Sequence, residues 1–263
     1  MIIIKIGGGN GINLKAIIKD LKNIDENYII VHGANALRDE IATKLGYEKK
    51  IITSVKGYSS VFTDAEGIDI MMMTYSGLKN KRIVELCQLN GINAVGLTGL
   101  DGGIVEGQKT RGIRVKDGGK LKLIRDSSGK PKQINTKLIQ LLIENDFVPV
   151  LTVPILDENR NAINSENDDI IALLQKYLEA DKIVQLIEET GYLADKDNSD
   201  SVIKNISKAE LKNLEEKAEG RMKRKIHALN KLFESTSPTV FIADGRIDTP
   251  LTNALNGGGT IIK

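Results

Sequence analysis

Lys5-Ile6-Gly7-Gly8-Gly9 closes a run of three isoleucines, and Val31-His32-Gly33-Ala34-Asn35 closes a second apolar run. Glycines directly after a strand let backbone N–H groups approach an anion, and a lysine beside them adds a point charge. The pattern is not a Walker A loop, which needs Gly-Lys-Ser/Thr, nor the Gly-x-Gly-x-x-Gly of dinucleotide folds. A tight strand-to-helix turn with a solvated lysine is the structural alternative. His32 has the chemistry of a general base, but a structural histidine hydrogen-bonded within its loop is the better reading. Further on, Asn164-Ser165-Glu166-Asn167-Asp168-Asp169 precedes an apolar helix. By itself it reads as a loop with a helix cap; functionally, Asn164 is a polar hook and Asp168 a carboxylate able to orient a lysine. Gly220-Arg221-Met222-Lys223-Arg224-Lys225 opens another helix with four cations in five residues. Such a run is usually a solvated face. Cations at a helix N-terminus nevertheless oppose the macrodipole at about 0.3–1 kcal/mol each, which suits an anionic ligand docking there.

These segments need elements to hold them. Ile2 to Ile6 and Tyr28 to Val31 read as strands, with a helical stripe between them (Leu14, Ile17, Ile18, Leu21) that Asn13 caps. Leu37, Ile41 and Leu45 mark a helix ending at Gly46. Thr63-Asp64-Ala65-Glu66 has the Thr-x-x-Glu form of a capping box and opens a helix through Met71 to Met73, with Asn80 to Leu89 helical beyond it. Asn93 to Thr98 is a strand. Ile113 to Val115 and Leu121 to Ile124 flank Asp117-Gly118-Gly119, a hairpin signal, and Ser127 to Pro131 reads as a second turn. A helix on Leu138, Leu141 and Leu142, a strand over 147–151, a helix over 170–178, a strand over 182–187, helices over 208–216 and around Ile226 and Leu229, and strands over 240–243 and 260–262 complete the rhythm. Alternating strands and helices predict a mostly parallel sheet covered on both faces, with ligands at the carboxyl ends of its strands.

The chain has 263 residues, 37 basic and 35 acidic side chains and 25 glycines. The near-balance of charge gives no global case for nucleic acid or membrane binding. One cysteine, Cys87, excludes an intrachain disulfide and points to a reducing, cytoplasmic setting; at its helical position it reads as a core thiol. Two histidines and one cysteine cannot build a His/Cys zinc site. No apolar run reaches the roughly 18 residues of a membrane span, and no signal peptide is visible. The glycines crowd at 7–11, 91–119 and 257–259, and none falls between Gly129 and Gly191. Ligand loops explain that unevenness better than general flexibility does.

In order along the chain, Lys5-x-Gly7-Gly8, His32-Gly33, Thr63-Asp64, Gly96-Leu97-Thr98-Gly99-Leu100-Asp101-Gly102, Asn164 to Asp168, Gly220 to Lys225 and the Gly257-to-Thr260 end resemble the amino acid kinase family. The resemblance spans essentially the whole chain. The stretch from Gly96 through Glu106-Gly107 to Gly129-Lys130 and Asn135 is most similar to the kinases acting on aminoadipate or glutamate attached to the amino-group carrier protein LysW; N-acetylglutamate kinase is the close relative. The resemblance implies an αβα sandwich around a mainly parallel eight-stranded sheet in two lobes. Residues 1–156 would carry the acceptor and the homodimer contact, and residues 157–263 the nucleotide. It implies transfer of the ATP γ-phosphoryl group to a side-chain carboxylate in lysine or arginine biosynthesis. A carboxylate is already ionised at neutral pH, so alignment and charge neutralisation replace a general base.

On the same footing, Lys5 and Lys225 would flank the phosphoryl group and Asp168 would hold the lysines. Gly7, Gly8 and Gly33 would donate amides, Asn164 would bind the acceptor, and Mg²⁺ would arrive with ATP, held by phosphates and water without a protein metal site. Three departures bear on that set. Val61 stands where the family usually has an arginine gripping an acceptor carboxylate, with Lys56 or Arg111 as conceivable substitutes. Ala34 replaces, or a deletion removes, a second glycine after Gly33. Ile187-Glu188-Glu189-Thr190-Gly191 replaces the usual Thr/Ser-Asp/Asn-Val-x-Gly, bringing two glutamates that would repel a triphosphate unless they point away or contact ribose. The basic stretch from Lys109 to Lys132 suits an acidic carrier; a solvated hairpin accounts for it about as well. Two other readings stay open: N-acetylglutamate kinase on the free acceptor, and a non-catalytic subunit that binds nucleotide or a metabolite.

Overall fold

The computed structural model describes residues 1–195, 197–218, 220–234 and 237–263, without the side chains of Asp117 and Arg221. Arg221, one cation of the basic run, therefore lies outside the described side chains.

Strand β1 (Ile2–Ile6), helix α1 (Leu14–Asp20), β2 (Tyr28–His32) and α2 (Asn35–Lys44) open the chain, followed by a hairpin of β3 (Ile51–Thr53) and β4 (Ser59–Val61). Helix α3 (Ala65–Met71) runs through a π-helical stretch, Met72–Lys79, into α4 (Asn80–Leu89). Next come β5 (Ala94–Thr98), β6 (Val105–Lys109), the hairpin of β7 (Ile113–Asp117) and β8 (Lys120–Ile124), β9 (Gly129–Ile134), α5 (Thr136–Glu144), β10 (Val148–Thr152), β11 (Ile155–Leu156) and β12 (Ala162–Ile163). The remainder is α6 (Asn167–Leu178), β13 (Lys182–Ile187), β14 (Asn205–Ile206), α7 (Lys208–Lys217), α8 (Gly220–Leu232), β15 (Thr239–Asp244), α9 (Pro250–Leu255) and β16 (Thr260–Ile262).

The central sheet has eight strands in the order β14-β16-β15-β13-β1-β2-β10-β5. All neighbours are parallel except β15 and β16. β1 pairs with β13 on one side and β2 on the other, so it joins the strands of the first half of the chain to those of the second. Side chains alternate across the sheet. Ile2, Ile4, Ile6, Ile30, Val184 and Leu186 meet α1, α4 and α9 through Ile17, Ile83 and Leu251. On the other face Ile3, Ile29, Val31 and Ile183 meet α3, α6, α7 and α8 through Met71, Ile171, Leu211 and Ile226. This is the expected αβα sandwich. Each fully buried isoleucine contributes about 1.5–3 kcal/mol relative to exposure. Cys87, wholly buried in α4, is the expected core thiol, its thiol pushed up to about 12 by burial.

Local signals worked where the partner was near in sequence. Asn13 caps α1, its Oδ1 accepting from the Ala16 amide at 3.1 Å. Gly118 and Gly119, both at positive φ, turn the β7–β8 hairpin. Three readings need correction. The cap of α3 is Asp64, whose Oδ1 accepts from the Gly67 amide at 2.9 Å; Thr63 faces elsewhere. Ser127 to Pro131 is not a simple turn, because Gly129–Ile134 is a strand antiparallel to β6, and Pro131 is tolerated opposite Gly107 at a register shift. Helix α9, absent from the sequence reading, starts with Pro250 at its first position. The buried carboxylate of Asp20, from α1, accepts the Leu251 and Thr252 amides at 2.7 and 2.8 Å and so caps it.

Candidate active site at the carboxyl edge of the sheet

Strands β1, β2, β10 and β13 all end on one edge, where the glycine loops lie. The loops stack without side chains between them. A Cβ on Gly8 would stand 2.6 Å from the Asn35 nitrogen and 2.7 Å from that of Ala34, both backbone atoms, so only glycine fits. The loops differ from expectation in which amides are available. The Gly7 amide donates to the Leu186 carbonyl and the Gly33 amide to that of Ile6, each at 2.9 Å. Both extend the sheet ladder, so neither is free to donate to a phosphate. Among the described residues, the amides of Gly8, Gly9 and Asn10 have no hydrogen-bond partner and are the ones available to a ligand. Ala34 is wholly buried at φ −146°, outside the left-handed region, so an alanine is accommodated there without a positive φ.

His32 is structural. Its ring is fully buried, Nε2 accepts from Asn80 Nδ2 at 3.1 Å, and Nδ1 faces the Gly33 carbonyl at 3.4 Å. Burial pulls its pKa down to about 3, so the ring is neutral. Its own carbonyl accepts from Thr152 Oγ1 at 2.9 Å and from Asn167 Nδ2 at 2.8 Å. Those two bonds tie β10 and the start of α6 to the end of β2.

The first turn of α6 gathers three carboxylates, each held by a cation from another element. Asp168 pairs with Lys5 of β1, Asp169 with Lys231 of α8 at 2.6 Å, and Glu166, just before the helix, with Arg224 of α8 at 2.6 Å. Lys5 and Asp168 are only 12% and 18% exposed, so their attraction is weakly screened. The helix N-terminus also favours the carboxylates. Asn164 donates from Nδ2 to Thr63 Oγ1 at 2.9 Å, linking the Asn164–Asp168 segment to the Thr63-Asp64 segment after β4.

Val61, Asn164 and Asp168 line a cavity of about 630 Å³ between the β3–β4 hairpin, the β7–β8 hairpin and α8. Its cations are Lys56, Arg114, Lys130 and Arg224. Of the two suggested replacements for the missing arginine at Val61, Lys56 lines the cavity and Arg111 does not; Arg114 and Lys130, read from the sequence as part of the basic stretch, line it as well. The hydroxyl of Ser165, which lines the cavity, and Oδ1 of Asn167, which does not, are buried without a partner among the described residues. Lys225 is exposed and is not among the residues lining the cavity; it lies about 100° round α8 from Arg224, which lines it.

Glu188, one of the two glutamates in the altered Ile187–Gly191 loop, lies against the glycine loop. It sits at the end of β13, and its Oε1 accepts from the Gly11 amide at 2.6 Å. A Cβ on Gly9 would stand 1.7 Å from its Oε2, so the carboxylate rests directly on the glycine loop. Among the described residues no group of three or more His, Cys, Asp or Glu side chains could hold a metal ion.

The fold and this edge define a phosphate-handling α/β protein, a sheet-end anion loop beside an ion-paired lysine. The chain belongs to the amino acid kinase family, whose pattern it matches over residues 1–244. It is 35% identical to the LysW-aminoadipate kinase of Thermus thermophilus over 269 aligned residues, covering all of both chains. It is 32% identical to the LysW-aminoadipate/LysW-glutamate kinase of Saccharolobus solfataricus, covering 100% of this chain and 99% of the relative. Among solved structures, N-acetylglutamate synthase from Neisseria gonorrhoeae superposes with a TM-score of 0.79 at 18% identity, over 99% of this chain and 58% of that one. That likeness concerns the fold alone.

Proposed function

We propose that the chain transfers the γ-phosphoryl group of ATP to the side-chain carboxylate of aminoadipate or glutamate carried on an acidic LysW-type protein. Full-length relatives of that activity support the reading. The single observation that carries it in this chain is the Lys5–Asp168 pair beside the free Gly8–Asn10 amides and the cavity. In this reading a carboxylate oxygen of the acceptor attacks the γ-phosphorus, the bond to the β,γ-bridging oxygen breaks, and ADP leaves. No proton need be removed, which agrees with a neutral, buried His32. Lys5, oriented by Asp168, neutralises charge on the transferring group, and the loop amides hold the phosphates. Asn164, Ser165 and the cavity cations Lys56, Arg114 and Lys130 receive the acceptor, replacing the arginine absent at Val61. Lys225 of α8 faces Lys5 across the transferring group, with Arg224, which lines the cavity, as the neighbouring cation. Mg²⁺ would accompany ATP and shield its phosphate charge.

Residues 1–156 serve mainly the acceptor and a homodimer contact, and residues 157–263 mainly the nucleotide, with Asn164 and Ser165 reaching the acceptor and the Gly8–Asn10 loop reaching the phosphates. The setting is cytoplasmic amino-acid biosynthesis, lysine or arginine. Carrier docking falls to the β7–β8 hairpin, where Lys116, Lys120 and Lys122 are exposed around Leu121 and Leu123. The test is acyl phosphate trapped as hydroxamate, with carrier-bound aminoadipate, carrier-bound glutamate and free N-acetylglutamate as parallel acceptors. Carrier-dependent hydroxamate with a salt-sensitive KM supports the reading. Product only from N-acetylglutamate rejects the carrier.

A further inference from the structure

Resting on the assignment of the glycine loop to the ATP phosphates, we propose that Glu188 sets nucleotide affinity by competing with those phosphates for the loop. The loop holds an anion of the protein's own. The Glu188 carboxylate takes the Gly11 amide at 2.6 Å and lies over Gly9, where any side chain would displace it. The three amides beside it, Gly8, Gly9 and Asn10, have no partner among the described residues. An incoming phosphate group therefore meets a row of donors with a negative charge already at its end. Either the carboxylate swings away or the two charges share the loop, and both cost affinity.

The surroundings give the displaced carboxylate somewhere to go. Glu188 is exposed and on the last turn of chain after β13, so it is free to rotate outward. Lys79, at the end of the π-helical stretch, is half-buried and has no ion pair among the described residues, yet it feels the charge of Glu188. Arg246, the other cation that Glu188 influences, is already bound to Asp244 at 2.8 Å. Lys79 is thus a cation near Glu188 without an ion pair among the described residues, and burial pulls its amine below the ordinary lysine range.

The experiment is calorimetric titration of the full chain with ATP, and separately with inorganic pyrophosphate, each with and without Mg²⁺. Wild type is compared with Glu188→Gln, Glu188→Ala and Lys79→Met, each checked by thermal melting. Both Glu188 variants are expected to bind ATP and pyrophosphate about tenfold tighter, the gain shrinking as salt screens the charge. Lys79→Met is expected to weaken both ligands. Unchanged or weaker binding by the Glu188 variants, with wild type binding normally, overturns the competition. Folded wild type and variants that all fail to bind ATP overturn the assignment of the loop itself.

Discussion

Replacing Asp168 with asparagine keeps the shape of the side chain and removes its charge. The carboxylate is the only ion-pair partner of Lys5 among the described residues, and the pair is 12% and 18% exposed. Losing a charge-assisted hydrogen bond in such a setting costs about 1.5–3 kcal/mol. If Lys5 must be held in one orientation to meet the transferring phosphoryl group, that cost appears in the transition state. At about 1.36 kcal/mol per factor of ten, the turnover number should fall roughly 10- to 150-fold. The readout is the initial rate of hydroxamate formation at saturating ATP and carrier-bound acceptor, alongside a thermal melt. Because Asp168 also lines the cavity, the acceptor KM is measured in the same series. A folded Asp168→Asn enzyme whose kcat stays within about twofold of wild type refutes the reasoning, since Lys5 would then need no carboxylate to place it.

Other outcomes follow from the same geometry. Gly8→Ala should destabilise the chain by about 1–3 kcal/mol, because its Cβ would meet two backbone nitrogens at 2.6 and 2.7 Å; urea unfolding measures this. Val61→Arg should lower the acceptor KM without changing that for ATP, as a guanidinium returns to the cavity wall beside Lys56; steady-state kinetics with both substrates varied separates the two. Lys225→Ala and Arg224→Ala compared in single turnover should show whether the cavity-lining arginine or the neighbouring lysine serves the transfer. His32 has its pKa depressed to about 3 by burial, so the unfolded chain binds more protons below about pH 6.5. Stability should therefore fall as pH drops from about 6.5 toward about 3, by at most about 1.4 kcal/mol per unit from this group. His32→Gln should flatten that acid slope in urea melts, and an unchanged slope would place its origin elsewhere.

The layered architecture and the position of the site were legible because their signals are local. Glycines immediately after β-branched runs mark strand ends, and strand ends in a parallel sheet share one edge. Asp168 was legible as a carboxylate able to orient a lysine, being adjacent to a helix start, and it pairs with Lys5. What escaped the sequence depended on distant partners. Gly7 and Gly33 look as available as Gly8, yet their amides are taken by Leu186 and Ile6 on neighbouring strands. Gly129-Lys130-Pro131 carries turn chemistry, but pairing with β6 across a register shift makes it a strand. Helix α9 is capped by Asp20 from the other end of the chain. Lys225 and Arg224 are neighbours in sequence, and only the rotational phase of α8 decides which faces the cavity.

Intact mass spectrometry of the carrier after incubation with the enzyme, ATP and Mg²⁺ tests the central claim most directly. The account predicts that the carrier bearing aminoadipate or glutamate gains a single phosphoryl group, which hydroxylamine removes, and that Asp168→Asn slows that gain. A carrier that keeps its mass with both acceptors, while the enzyme binds ATP, would contradict it.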